Sequence, residues 1–233
     1  MSPDPVPVRY ERVGPVAWLT INRPEARNAL NAPVRQGLFD GIAQFNDDGS
    51  AKVLVLTGAG AAFCAGGDLK EMAETGLEVP PPDFLPQIGR NIEVAKPTIA
   101  AVNGVAYAGG FLLAQTCDLF VAAASARFAV TEVKVGRGSP WAVPLGWMIP
   151  PRLAMEILLT GDAISAQRAY EIGLVNRVVQ DEQSSMRPRS SPRRSLPTRL
   201  SPSSPPKGPC VLLPSASCPR PLTRRSGSGS RST

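Results

Sequence analysis

The sequence predicts an α/β fold built from layers of strands and helices. Three observations predict it: short apolar runs suited to strands covered on both faces, amphipathic helices alternating with them, and glycine pairs where strand gives way to helix. Residues 6–13 and 16–21 read as paired strands around the Gly14-Pro15 turn. Residues 23–31 (RPEARNALN) form a loop into a helix that Pro33 opens near its first turn, where a missing N–H costs nothing. The apolar face of that helix is Val34, Leu38, Ile42 and Phe45, at helical spacing. Residues 53–57 (VLVLT) are a continuous apolar strand, 69–75 a helix, and the proline-rich 79–86 a surface loop. A buried strand at 98–102, a helix at 109–116 and a strand at 119–123 follow. Helices at 153–160 and 166–172 precede a last strand at 174–179.

Composition narrows the chemistry. The 233 residues are 43% apolar, enough for a substantial core, and no apolar run reaches the ~18 residues of a membrane span. The N-terminus lacks a secretion signal, so a cytoplasmic location is the expectation. There is no histidine, which removes Ser-His-Asp and Cys-His machinery and the commonest transition-metal ligand. Cys64, Cys117, Cys210 and Cys218 show no CxxC pairing; Cys64 and Cys117 read as reduced core residues, and no metal site is expected.

Charge divides the chain unevenly. Residues 184–233 carry ten Lys or Arg and no acid, which leaves fifteen basic and nineteen acidic residues in 1–183. The same tail holds fourteen serines and ten prolines and shows no apolar periodicity, so 1–183 reads as the domain and 184–233 as disordered. An arm for RNA or an anionic membrane, an uninvolved linker, and a stretch translated out of frame are the readings open for it.

Two glycine turns carry the functional signal: AFCAGGDLK at 62–70 and NGVAYAGGFLLAQTCD at 103–118. N–H groups at such turns point outward unpaired, and a following helix adds positive potential, so two facing turns can hold a developing oxyanion. Plain structural turns would look the same. A nucleotide loop would not, because neither GxxxxGK[ST] nor GxGxxG after the first strand is present.

These turns belong to a longer pattern. INRPEARNAL at 21–30, VLVLTGAGAAFCAGGDLKEM at 53–72, KPTIAAVNGVAYAGGFLLAQTCDLFVAA at 96–123, ARFAVTEVKVG at 126–136 and LTGDAISAQRAYEIGLVNRVV at 159–179 follow one another in register. Together they resemble the enoyl-CoA hydratase/isomerase (crotonase) family. The resemblance implies a crotonase-like spiral of ββα units that binds an acyl-CoA thioester and works through an enolate. No cofactor is implied beyond the coenzyme A carried by the substrate. Matched by position, the oxyanion donors are the N–H groups of Gly67 and Gly109. Ala65, Gly66, Asp68, Leu69 and Lys70 flank the thioester and pantetheine path, with Gly110 and Leu112 beside the second turn. Asp68 equally suits a helix N-terminus, and Arg27 is either a partner for the coenzyme's phosphates or a solvated loop residue.

The resemblance also implies two glutamates that share acid and base work. The first falls on Leu112, which transfers no proton; the second falls on Glu132, twenty residues on. One carboxylate suffices to move a double bond from β,γ to α,β, whereas adding water calls for a base and an acid. Isomerisation is therefore favoured over hydration. Glu132 needs a raised pKa for this, with Leu112, Phe111 and Trp141 as the apolar surroundings. The segment 134–151, with Trp141, Trp147 and four prolines, reads either as a stiff wall of an acyl pocket or as ordinary core. Glu71 and Glu74 are weaker acid candidates on an exposed helix face, and Asp118 and Asp162 read as strand and loop residues.

Relatives in this family end in helices that pack in a homotrimer or hexamer, and 184–233 contains nothing like them. Weakened assembly and low activity are the expectation for this chain. Two other classes stay open: a non-catalytic acyl-CoA-binding relative, which Leu112 favours, and a basic-tailed nucleic-acid binder.

Overall fold

The two opening strands are β1 (Val8–Val13) and β2 (Val16–Ile21), antiparallel, with Val13 opposite Val16 across the Gly14-Pro15 turn. The computed structural model describes residues 6–76, 81–142 and 144–181; the reading of 184–233 as a disordered tail lies outside them. Helix α1 (Ala32–Asp47) begins where the Asn31 side chain accepts a hydrogen bond from the Val34 N–H, with Pro33 in its first turn. It buries Val34, Leu38, Ile42 and Phe45, the face its sequence period defines, together with Gly41. A Cβ on Gly41 would overlap the Leu19 side chain of β2, so this helix lies close on the strand.

From here the chain repeats one move. Strand β3 (Val53–Gly58) runs parallel to β2, then β4 (Ala62–Cys64) leaves for a second sheet before α2 (Leu69–Thr75). Next come β5 (Thr98–Val102), β6 (Val105–Tyr107) and α3 (Gly109–Gln115). The third pass is β7 (Leu119–Ala123), β8 (Arg127–Ala129) and a 3-10 turn, Thr131–Val135. The chain continues through α4 (Leu145–Met148), α5 (Pro151–Thr160), β9 (Ile164–Ser165), α6 (Ala166–Glu171) and β10 (Arg177–Val179). First strands join a six-stranded sheet in the order β1-β2-β3-β5-β7-β10, and second strands a four-stranded sheet, β4-β6-β8-β9. This is a spiral of ββα units.

Phenylalanines fill the space between the layers. Phe128 of β8 packs against Phe111 of α3 with the rings tilted by 34° and 5.7 Å between centres, and meets Phe120 of β7 edge-on at 5.2 Å. Asp118 ties two strands of the larger sheet: its Oδ2 accepts from both the N–H and the hydroxyl of Thr98, each at 2.8 Å. Among the described residues no helix is long and apolar enough to cross a membrane.

In the fold itself the structure departs from the sequence reading as follows. Three of the second-sheet strands, β4, β6 and β8, have three residues each, too few to show alternation. The last strand starts at Arg177, not 174, because the N–H groups of Leu174 and Val175 both turn back to the Ala169 carbonyl at the end of α6. Leu85, in the proposed surface loop, is buried against the second glycine turn. Trp147 is 84% exposed and so is no pocket wall; Met148, Met155 and Leu159 on α4 and α5 are exposed with it.

Gly110 is a close joint between the smaller sheet and α3, since a Cβ there would overlap the Cys64 carbonyl, Cβ and sulfur. Gly110→Ala is expected to lower unfolding free energy by about 1–3 kcal/mol. Urea titration of both variants checks this: Gly138→Ala, where nothing lies within 4 Å, should stay within about 0.5 kcal/mol of wild type.

Candidate active site

Three parallel strands deliver the candidate residues to one edge. Strand β6 pairs with β4 on one side and with β8 on the other, Tyr107 standing opposite Ala129. The segments that leave their carboxyl ends are Ala65 to Asp68, Ala108 to Gly110, and the turn carrying Glu132. Ligands of open α/β sheets commonly bind beyond that edge.

The first turn is pinned by two backbone bonds, Ala65 N–H to Arg27 C=O at 3.0 Å and Leu30 N–H to Gly66 C=O at 2.8 Å. Gly66 has φ 100°, a value closed to residues with a side chain. The Gly67 N–H has no hydrogen-bond acceptor among the described residues. In the second turn Ala108 donates to the Ala129 carbonyl at 3.0 Å and sits at φ 48°, ψ −123°. That is the first corner of a type II′ turn, a strained conformation for alanine. It turns the chain so that Gly109 opens α3, where a first-turn N–H has no partner within the helix. A Cβ on Gly66 would stand 2.9 Å from that of Ala108, so the two turns touch. Leu85 and Leu30 close over Gly109, their methyl groups 2.9 and 3.0 Å from where its Cβ would be.

Glu132 lies in the 3-10 turn after β8. Its Oε1 accepts a hydrogen bond from the indole N–H of Trp141 at 2.8 Å, and its Oε2 is buried with no hydrogen-bond partner. Burial holds the carboxyl above the usual glutamate range; its own backbone N–H, Trp141 and Ser139 oppose this only in part. The sequence reading of Trp141 therefore needs correction. Trp141 is not simply apolar surroundings, since its N–H favours the charged carboxylate. Phe111 meets the Trp141 ring edge-on at 6.5 Å, and Leu112 is buried in the core one residue later.

The remaining candidates divide into structural and open. Asp68 caps α2, its Oδ1 accepting from Lys70 N–H at 3.0 Å and Glu71 N–H at 3.2 Å. Its Oδ2 pairs with Arg23, which holds the carboxyl below the usual aspartate range. Glu71 is not on a free face: it pairs with Arg35 and accepts from the Ala32 N–H at 2.7 Å, bracing α2 against α1. Glu74 is exposed, and Asp162 pairs with Lys134 at 2.9 Å. Arg27, Leu69 and Lys70 are exposed beside the first turn, and neither cation has an ion-pair partner among the described residues. Cys64 is a buried free thiol, pushed up to about 12 by burial. Nothing in sequence spacing marks Arg23 as the partner of Asp68, 45 residues away, or Trp141 as the partner of Glu132.

The pattern of the family described as enoyl-CoA hydratase/isomerase matches residues 11–194, which span all three segments. This chain belongs to that family. Among similar proteins, the (E)-benzylidenesuccinyl-CoA hydratase of Thauera aromatica is 41% identical over 187 residues, covering 75% of this chain and 70% of that one. The carnitinyl-CoA dehydratase of Salmonella paratyphi A is 38% identical over 179 residues, covering 74% and 67%. The crystal structure of a probable enoyl-CoA hydratase/isomerase from Mycobacterium abscessus superposes with a TM-score of 0.69 at 42% identity, covering 77% and 71%.

The Arg23–Asp68 pair sets a pH test of the first turn. Asp68→Asn keeps a capping oxygen but loses the charge, and is expected to cost about 1.5–3 kcal/mol at neutral pH. Because the folded pKa is lowered, the charge's contribution is full above the ordinary aspartate value of 3.8 and disappears as pH falls through the folded value. Melting curves of the two proteins should therefore converge in acid below that pH.

Proposed function

We propose that this chain binds an acyl-CoA thioester across the Gly67 and Gly109 N–H groups and isomerises a 3-enoyl to a 2-enoyl thioester through Glu132. The observation that carries the reading is the Glu132 carboxylate, half held by Trp141 and half unpartnered, at the strand edge where both glycine turns end. In the first step Glu132 takes the α-proton, and the electron pair moves onto the thioester oxygen to give a dienolate. The two N–H groups receive that oxygen; donors of this kind contribute roughly 2.7–4 kcal/mol each in other enzymes. Glu132 then returns the proton to the γ-carbon, leaving the double bond in conjugation. A carboxyl pKa raised toward the working pH suits a group that must both take and give a proton.

The other candidates take places around this centre. Arg27 is an exposed cation for the coenzyme's phosphates, and Lys70, also exposed, flanks the thioester and pantetheine path. Ala65, Gly66 and Leu69 border the pantetheine path together with the backbone of Asp68, while Gly110, Leu112 and Trp141 lie on the acyl side. The cycle needs no cofactor beyond the coenzyme A of the substrate. Trp147, Met155 and Leu159 are exposed apolar side chains that assembly as a homotrimer or hexamer would cover.

Hydration is the second reading, and the names of the relatives favour it, one a hydratase and the other a dehydratase. It asks for a second proton-transfer group, and Leu112 stands where the resemblance puts one. Turnover of 3-enoyl-CoA and 2-enoyl-CoA thioesters separates the two, with isomerisation expected to be the faster. Glu132→Gln should lower kcat/KM by roughly 10²–10⁴-fold. Since the base acts when charged, wild-type kcat/KM should fall as pH drops through a value above the ordinary 4.5. Full activity of Glu132→Gln on both thioesters would overturn the assignment, and coenzyme A binding without turnover would mark a non-catalytic relative.

A further inference from the structure

We infer that Trp141 is a positioning residue: its indole N–H holds Oε1 of Glu132, so that Oε2 alone exchanges protons with substrate. The inference rests on the isomerase reading above and adds to it a division of labour between the two carboxylate oxygens. An indole N–H is a donor and never an acceptor. When Glu132 is charged, Oε1 accepts from Trp141 at 2.8 Å. When Glu132 is protonated, the oxygen without the proton is the better acceptor for the indole N–H, so Oε1 keeps the Trp141 bond and the acid proton is favoured on Oε2. Both states of the proton cycle thus direct the transferable proton to the same atom, the one with no protein partner.

The indole is itself held in place. Trp141 lies in a 3-10 turn, Pro140–Ala142, whose proline limits the backbone. Its ring stands at 85° to Phe111, 6.5 Å between centres, and Phe111 is fully buried on α3 and packed against Phe128. Helix α3 is the element whose first N–H is that of Gly109. One rigid series of contacts therefore joins the proton-transfer group to one of the two proposed oxyanion donors. Misplacement by an ångström within such a set is enough to cost about 10²-fold in rate.

Charged neighbours do not do this work. Lys134 on the same turn is paired with Asp162 at 2.9 Å, and α3 carries no charged residue. Arg137 follows the turn and Arg152 and Glu156 belong to α5, which packs against it; none of them contributes to the shift at Glu132, whose causes are burial and hydrogen bonds.

Two measurements on the full chain test the inference. Trp141→Phe keeps a ring against Phe111 but removes the donor. It should lower kcat on a 3-enoyl thioester by roughly 10- to 100-fold with KM little changed, and move the acidic limb of the pH profile to higher pH. In wild-type protein labelled with ¹⁵N at its three tryptophans, one indole N–H resonance should titrate at the pH of that limb and stop titrating in Glu132→Gln. This second arm needs no substitution at 141. An unmoved acidic limb in Trp141→Phe, whatever its kcat, or no titrating indole resonance in wild type, would overturn the inference. If Glu132→Gln abolishes turnover while either of these is seen, only the role of Trp141 fails. If Glu132→Gln stays fully active, the isomerase assignment itself fails.

Discussion

The close approach of α3 to β4 at Gly110 is the constraint on which the site depends. Glycine has no Cβ, so the helix backbone can lie against the Cys64 carbonyl and side chain. That contact brings the second turn down beside Gly66, and the parallel pairing of β4, β6 and β8 carries Glu132 to the same edge. Larger residues at Gly66 or Gly110 would push the turns apart. The strain at Ala108 is the local cost of aiming the start of α3, and the bond from its N–H to Ala129 on β8 helps to hold it.

Around this joint, two carboxylates sit in opposed environments. Asp68 receives a guanidinium and two backbone N–H groups, which stabilise its charge and turn it into a structural clamp for α2. Glu132 has only neutral hydrogen-bonding groups against the burial of its carboxyl, so its charge is less favoured and its proton is easier to move. The difference lies in the surroundings and not in the residue type. It separates a carboxylate that holds a turn from one suited to exchanging protons.

Much of the larger sheet was legible from the residues alone. Runs such as VLVLT declare a strand by continuous apolarity, and Val34, Leu38, Ile42 and Phe45 declare a buried helix face by period. The smaller sheet was not legible, because strands of three residues have no measurable alternation and are held by neighbours far away in sequence. Glu71 looked solvent-facing from its helix and is instead clamped by Arg35, a partner 36 residues away. Leu85 looked like part of a surface loop and instead covers Gly109.

By itself the sequence determined which residues stand at the glycine turns, that Leu112 carries no acid, that Glu132 carries one, and to which family such a pattern belongs. These are matters of identity and spacing along one chain. Tertiary structure decided that the two turns touch, that Asp68 is occupied by Arg23, and that Trp141 donates to one oxygen of Glu132 and leaves the other alone. Hydrogen bonds and burial depend on which groups meet across the fold. Spacing along the chain does not reveal that, because the strands that bring those groups together pair with partners tens of residues away.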